Sequence, residues 1–254
     1  MASHAEIRVG ISGWRHAPWR GAFYPLALKQ DKELEYASRQ VNTIEINGTF
    51  YSLQNPNVFA RLYAATLKDF VFSAKRGRYI THIRRLKDVE EPVNKFFNLG
   101  VLELKEKLGP VLWQFPPSIK YDHDRFKNFI DLLPPQLRYA IEVRNESFRN
   151  PEFFKLLKHC GIALVFSDSA GRWPYFEEDA ADFIYIRLYG GEGKLYSGGY
   201  GNRALSGWAV RIRRWISERP LHDVFVYFDN DMKVKALFDA ISLIRRTSEH
   251  RKAA

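Results

Sequence analysis

The sequence predicts an α/β fold, a single-domain (β/α)8 TIM barrel over residues 1–254. Eight short apolar runs alternate with stretches of helical spacing. Parallel strands joined through crossover helices satisfy such an alternation. Eight units in about 250 residues also match the size of a closed barrel. Several runs carry charged residues on one face near their C-terminal ends, where barrels of this class build their sites. An open, doubly wound sheet is the architectural alternative.

The elements follow in order. The first run, residues 7–14, ends in Ser12 and Trp14. The second, residues 43–50, contains Thr43-Ile44-Glu45-Ile46-Asn47. Alternate side chains of a strand share a face, so Glu45 and Asn47 lie on one side and Ile44 and Ile46 on the other. Asn55-Pro56 reads as an N-cap followed by proline at the first helical position, opening a helix to about Lys68. The third run is residues 70–75. The helical stretch over 88–107 has Pro92 near its start and Gly100 inside, so it is expected to bend. Run 110–115 leads to a helix over 122–133. Run 138–144 repeats the charged pattern with Glu142 and Arg144. Asn150-Pro151 then opens a helix that closes at Cys160-Gly161, with glycine where a left-handed residue is favoured. Run 162–168 is followed by residues 169–182, a crossover short and poor in helix signal, where one helix is expected to be degenerate. Runs 183–189 and 223–229 precede helices over 204–218 and 232–246, and the charged segment 245–254 is expected to fray.

Composition narrows the class. Hydrophobic residues make up 46% of the chain, enough for a sizeable core and too many for disorder. The one cysteine, Cys160, rules out an intrachain disulfide and a cysteine metal cluster, and reads as a small core residue. The first residues lack a signal-peptide pattern. No apolar run approaches the ~20 residues of a membrane span. The expectation is a cytoplasmic protein with no membrane partner. The net charge of +10 permits an anionic partner, but basic proteins that bind nothing anionic are also common.

The C-terminal strand ends gather polar groups: Ser12 and Trp14; Glu45, Asn47 and Thr49; Lys75; Gln114; Glu142 and Arg144; Asp168; Arg187 and Tyr189; Tyr227, Asp229 and Asp231. If both sheet faces are covered, these charges point into an interior where an unpaired charge is very costly.

Three segments, Gly10-Ile11-Ser12-Gly13-Trp14, Trp19-Arg20-Gly21-Ala22-Phe23-Tyr24-Pro25 and Glu45-Ile46-Asn47-Gly48-Thr49-Phe50-Tyr51, resemble the YecE-like proteins, domain of unknown function 72. The likeness continues through Lys75, Thr81-His82, Gln114-Phe115-Pro116-Pro117, Glu142-Val143-Arg144, Arg187-Leu188-Tyr189-Gly190 and Tyr227-Phe228-Asp229-Asn230-Asp231. The resemblance implies a TIM-barrel fold and no particular reaction. The chain departs from the family's usual pattern in carrying Gly48 for Ser, Tyr189 for His and Asp229 for Asn. The Tyr189 difference removes an imidazole, and the Asp229 difference adds a carboxylate that only accepts hydrogen bonds.

The acidic set Glu45, Glu142, Asp168 and Asp229 suits acid–base work if its environments separate the pKa values, or a hard cation such as magnesium. The structural alternative is a buried salt-bridge network with Lys75, Arg144 and Arg187. Lys75, Arg76, Arg78, Arg84 and Arg85 crowd the segment after the third strand with His82 among them. Arginine forks match phosphate or carboxylate, whereas Arg84, Arg85 and Lys87 read as a solvated face. The loop after the seventh run holds Gly190, Gly191, Gly193, Gly198, Gly199 and Gly201 with Lys194, Tyr196 and Tyr200. That loop suits either an anion-binding nest or a mobile lid. Trp14, Trp19, Phe23 and Tyr24 suit stacking on a ligand or plain packing. The seven histidines are scattered without metal-ligand spacing.

The expectation is an enzyme acting on a small, polar, anionic substrate, a phosphorylated sugar or nucleotide-like molecule. Glu45, Glu142 and Asp229 are the catalytic candidates. Lys75, Arg144 and Arg187 would bind the anion. Asn47, Gln114 and Tyr227 would orient the substrate, and Trp14, His82 and Tyr189 complete the binding set. No metal ligands are assigned and no cofactor is expected, with magnesium the one optional addition. The alternative is a nucleic-acid-binding barrel without catalysis. The sequence does not give the oligomeric state.

Overall fold

The computed structural model describes residues 5–47, 56–75, 78–191, 198–219, 222–230 and 234–248. They form two compact units. The first comprises the described parts of Met1–Glu45, Phe166–Arg172 and Asp182–Ala254, and the second Ile46–Val165 and Trp173–Ala181.

In the first unit, β1 (Ile7–Ser12) pairs in parallel with β2 (Thr43–Ile46) on one side and with β9 (Asp223–Phe228) on the other. Next come β8 (Phe183–Leu188) and β7 (Phe166–Asp168), also parallel. The β1–β2 approach needs Gly10, because a Cβ there would lie 1.8 Å from the Thr43 carbonyl oxygen. Helix α1 (Glu33–Ala37) follows β1; α6 (Asn202–Glu218) and α7 (Lys235–Ser248) follow β8 and β9. Leu205, Trp208, Ala209, Ile212 and Trp215 recur at helical spacing and form the buried face of α6. Arg246 clips α7 to α6, donating to Asn202 Oδ1 at 2.8 Å and Ser206 Oγ at 3.1 Å. Helix α7 runs through Arg245 to Ser248, and residues 249–254 lie outside the described residues.

The second unit orders β3 (Val71–Lys75), β4 (Leu108–Gln114), β5 (Tyr139–Glu142) and β6 (Ala163–Leu164), all parallel. Its helices are α2 (Pro56–Ala64), α3 (Glu90–Asn98), α4 (His123–Asp131) and α5 (Pro151–Cys160). Asp122 caps α4 by accepting from Arg125 N, and Asn150 caps α5 by accepting from Glu152 N. Gly161 closes α5 at φ 64, as its sequence position predicts. Trp113 on β4 packs edge-on to Phe129, ring centroids 4.9 Å apart, and Phe115 lies 5.0 Å from Phe126. Buried Lys107 donates to the carbonyls of Tyr63 and Thr66 at 2.7 and 2.9 Å. It thereby satisfies acceptors at and just beyond the end of α2.

The predicted parallel β/α order holds, with local corrections. Run 162–168 divides into β6 and β7, because its first half pairs with β5 and its second with β8. The crossover 169–182 contains no helix, as expected. The stretch over 88–107 breaks rather than bends: α3 ends at Asn98, Gly100 turns left-handed at φ 106, and 3-10 turns follow over Val101–Lys107. A Cβ on Gly100 would sit 2.5 Å from Pro56 Cα, so the break leaves room for α2. Cys160 is exposed rather than in the core, because the buried face of α5 is Phe153 and Leu157. Among the described residues no helix is long and apolar enough to cross a membrane.

Candidate functional site

Each unit gathers charged side chains at its strand ends. In the first, Arg187 on β8 is fully buried. Its Nη2 donates to Glu45 Oε1 at 2.9 Å and to Asp229 Oδ2 at 3.0 Å, with Ser12 Oγ at 3.5 Å. Its other terminal nitrogen contacts the Tyr189 hydroxyl, and the guanidinium lies 4.9 Å from the centroid of that ring. Glu45, also fully buried, accepts from Ser12 Oγ at 3.0 Å on Oε1 and from Tyr185 Oη at 2.7 Å on Oε2. Both its oxygens are therefore occupied. Asp229 keeps 10% side-chain exposure. Burial, followed by the charge of Glu45, pushes the Tyr185 phenol well above its ordinary range, so it remains a donor. Tyr227 shares a hydrogen bond of 2.8 Å with Thr43 and packs 5.0 Å from Tyr185. Two carboxylates thus converge on one guanidinium.

Beside this centre, Tyr200 donates to Asp168 Oδ2 at 3.1 Å while the Gly190 amide donates to Tyr200 Oη at 3.3 Å. Burial and then Asp168 raise the pKa of Tyr200. Asn230 donates to Gly198 O and to Asp239 Oδ2, which also accepts from Tyr200 N. These bonds anchor the described ends of the glycine-rich loop to β9 and α7. Trp14 is half-buried, and its carbonyl accepts from Tyr24 Oη at 2.7 Å. Trp19, Phe23, Tyr24 and Tyr36 form one ring cluster, consistent with packing for the first-loop aromatics.

In the second unit, Glu142 ends β5 fully buried and accepts from Arg144 Nε at 2.8 Å. The Arg144 guanidinium stacks 3.8 Å from the centroid of Trp173. His82 sits on a wide, π-type turn, Tyr79–Ile83, its Nδ1 2.8 Å from Thr81 Oγ1. Its pKa is lowered to about 4, first by burial and then by Arg144, Arg78 and Lys75, against a smaller opposing effect of Glu142. The imidazole is therefore neutral at pH 7. Arg85, Leu86 and Asp88 all have positive φ just after this turn. Such strained backbone persists only where surroundings hold it, and it clusters at functional segments. Gln114 ends β4 in register with Glu142, and Lys75 ends β3 in register with Leu112. Arg84 pairs with Asp88 at the surface, as the solvated-face reading expects.

The structure thus brings Glu45, Arg187, Tyr189, Tyr227 and Asp229 together in the first unit, and Lys75, His82, Glu142 and Arg144 in the second. Thr49, Arg76, Gly193, Lys194, Tyr196 and Asp231 lie outside the described residues. Among the described residues no three His, Cys, Asp or Glu side chains are grouped to hold a metal ion. Sequence reasoning missed Tyr185 and Trp173. Strand periodicity gives Tyr185, two residues before Arg187 on the same face. Trp173 carries no local signal, because it lies in the crossover without a helix.

A family model described as "Protein of unknown function DUF72" matches residues 8–254. The chain belongs to the DUF72 family. It is 29% identical over 143 residues to the UPF0759 protein YecE of Escherichia coli strain K12, covering 56% of this chain and 50% of that protein. It is 24% identical over 156 residues to the UPF0759 protein YunF of Bacillus subtilis strain 168, covering 59% and 54%. The chain thus spans about half the length of the curated relatives it matches. A DUF72 family protein of Thermotoga maritima, TM1631, superposes with a TM-score of 0.84 at 25% identity over 96% of this chain and 100% of that one. A DUF72 protein of Enterococcus faecalis V583, EF0366, gives 0.79 at 19% over 95% of each. The DUF72 relationship and the TIM-barrel-like α/β class agree with the expectations from sequence.

Proposed function

We propose that this DUF72 protein is an enzyme acting on a small, polar, anionic substrate at the strand ends of its second unit. The observation that carries the reading is Arg144 held 2.8 Å from buried Glu142, with His82 kept neutral first by burial and then by Arg144, Arg78 and Lys75. Cations grouped at these strand ends suit a phosphate or carboxylate, and arginine forks match either. Glu142 and His82 are the groups that would move protons, and the cations would stabilise developing negative charge. In the first unit, Asp229 is the carboxylate that retains some exposure, while Glu45 supplies the charge that fixes Arg187. Turnover of phosphorylated and carboxylated metabolites by the wild type, lost in Glu142→Gln with the circular dichroism spectrum unchanged, supports the reading. Full turnover in that variant removes Glu142 from the chemistry.

A second reading, nucleic-acid binding, draws on the basic surface of α6 and α7, where Arg203, Arg214 and Arg245 are exposed. It predicts oligonucleotide binding that weakens steeply with salt. The stacking of Arg211 on buried Trp208 and Trp215 weighs against it, because those rings are not offered to bases.

A further inference from the structure

Two buried amide oxygens of the second unit have hydrogen-bonding capacity that the described protein does not use. Gln114 is 4% exposed, and its Oε1 is buried with no hydrogen-bond partner among the described residues. Asn47, the residue after β2, buries its Oδ1 in the same condition. Buried polar atoms in native proteins are nearly always paired, so an orphaned acceptor needs an explanation. Position supplies one for Gln114. It ends β4 in register with Glu142, so its side chain shares a strand face and level with the proposed proton-transfer carboxylate.

We propose that the substrate carries hydroxyl groups beside its anionic group, and that Gln114 and Asn47 accept hydrogen bonds from them. The inference rests on the anionic-site reading above. An ammonium donor would meet the field of Lys75, Arg78 and Arg144, whereas a hydroxyl brings a donor without charge. A hydroxyl also both donates and accepts, so it suits a carboxamide in either orientation. The substrate class is therefore a hydroxylated anion, a sugar or polyol phosphate or a sugar acid, rather than an alkyl or aryl anion.

The test is calorimetric titration of the full chain with inorganic phosphate, methyl phosphate, ribose 5-phosphate and unphosphorylated ribose. The inference expects ribose 5-phosphate to bind about tenfold or more tighter than methyl phosphate, roughly one good hydrogen bond to a buried acceptor. Gln114→Met should reduce that difference, with inorganic phosphate titrated into the same variant as the reference. Asn47→Ala gives an independent reading should the Gln114 variant fail to fold, and should reduce the difference. Equal affinity for the two esters in the wild type, or an unchanged difference in both variants, overturns the inference. Failure of all three phosphates to bind overturns the anionic-site reading instead. In that case ribose binding that is lost in Gln114→Met would sustain the hydroxyl assignment, and no ribose binding would end it.

Discussion

Arg187 Nη2 and Glu45 Oε1 meet at 2.9 Å, across 142 residues of sequence, with both side chains at 0% exposure. Ion pairs this deep are costly to form and more costly to break, because the survivor is left charged in a low-dielectric interior. Here Arg187 also serves Asp229, so its loss strands two carboxylates.

Arg187→Met is therefore expected to lower unfolding free energy by about 3–5 kcal/mol in urea denaturation. Arg187→Met combined with Glu45→Gln should cost less than the sum of the two single changes, because the pair is removed together. Strict additivity would mean that the two groups are not energetically coupled.

Tyr185→Phe removes the donor to Glu45 Oε2 and leaves that buried oxygen without it. A loss of about 1–3 kcal/mol is expected by the same measurement. A neutral effect would show that Glu45 does not depend on this hydroxyl.

Low pH should destabilise the protein through His82. The unfolded chain protonates this imidazole near 6.5 and the folded chain near 4, so between these values the unfolded state binds more protons and stability rises with pH. The contribution is complete above pH 6.5 and is lost as pH falls toward 4. The side chain is only half-buried, so screening holds the loss to about 1–2 kcal/mol. His82→Gln should flatten this part of the stability profile. Sulfate bound among the cations should offset their field, so binding should strengthen between pH 7 and about pH 5 in the wild type and not in His82→Gln.

Gly100→Ala should destabilise by about 1–3 kcal/mol, since it combines left-handed backbone with a Cβ pressed against Pro56. A melting temperature equal to that of the wild type would contradict the packing described for α2.

The strand ends were legible because period-two alternation and helix punctuation are local signals. Thr43-Ile44-Glu45-Ile46 and Tyr139-Ala140-Ile141-Glu142 show their buried faces in the sequence itself. Partner choice was not legible. That Glu45 would face Arg187 and Tyr185 depends on which strands lie side by side, whereas Glu142 and Arg144 sit two residues apart at the end of one strand. The break at Gly100 was also hidden, because its cause is Pro56, far away in sequence. Cys160 was misplaced because helix phase, not cysteine's usual preference, decides what α5 buries.

Sulfate titration by calorimetry at pH 7 and low ionic strength reads the proposed anion site of Lys75, Arg78 and Arg144. The wild type should bind one sulfate saturably, and Lys75→Met and Arg78→Ala should each weaken binding by about tenfold, the loss of roughly one charge-assisted contact. No saturable binding, or affinity unchanged in both variants, would contradict it.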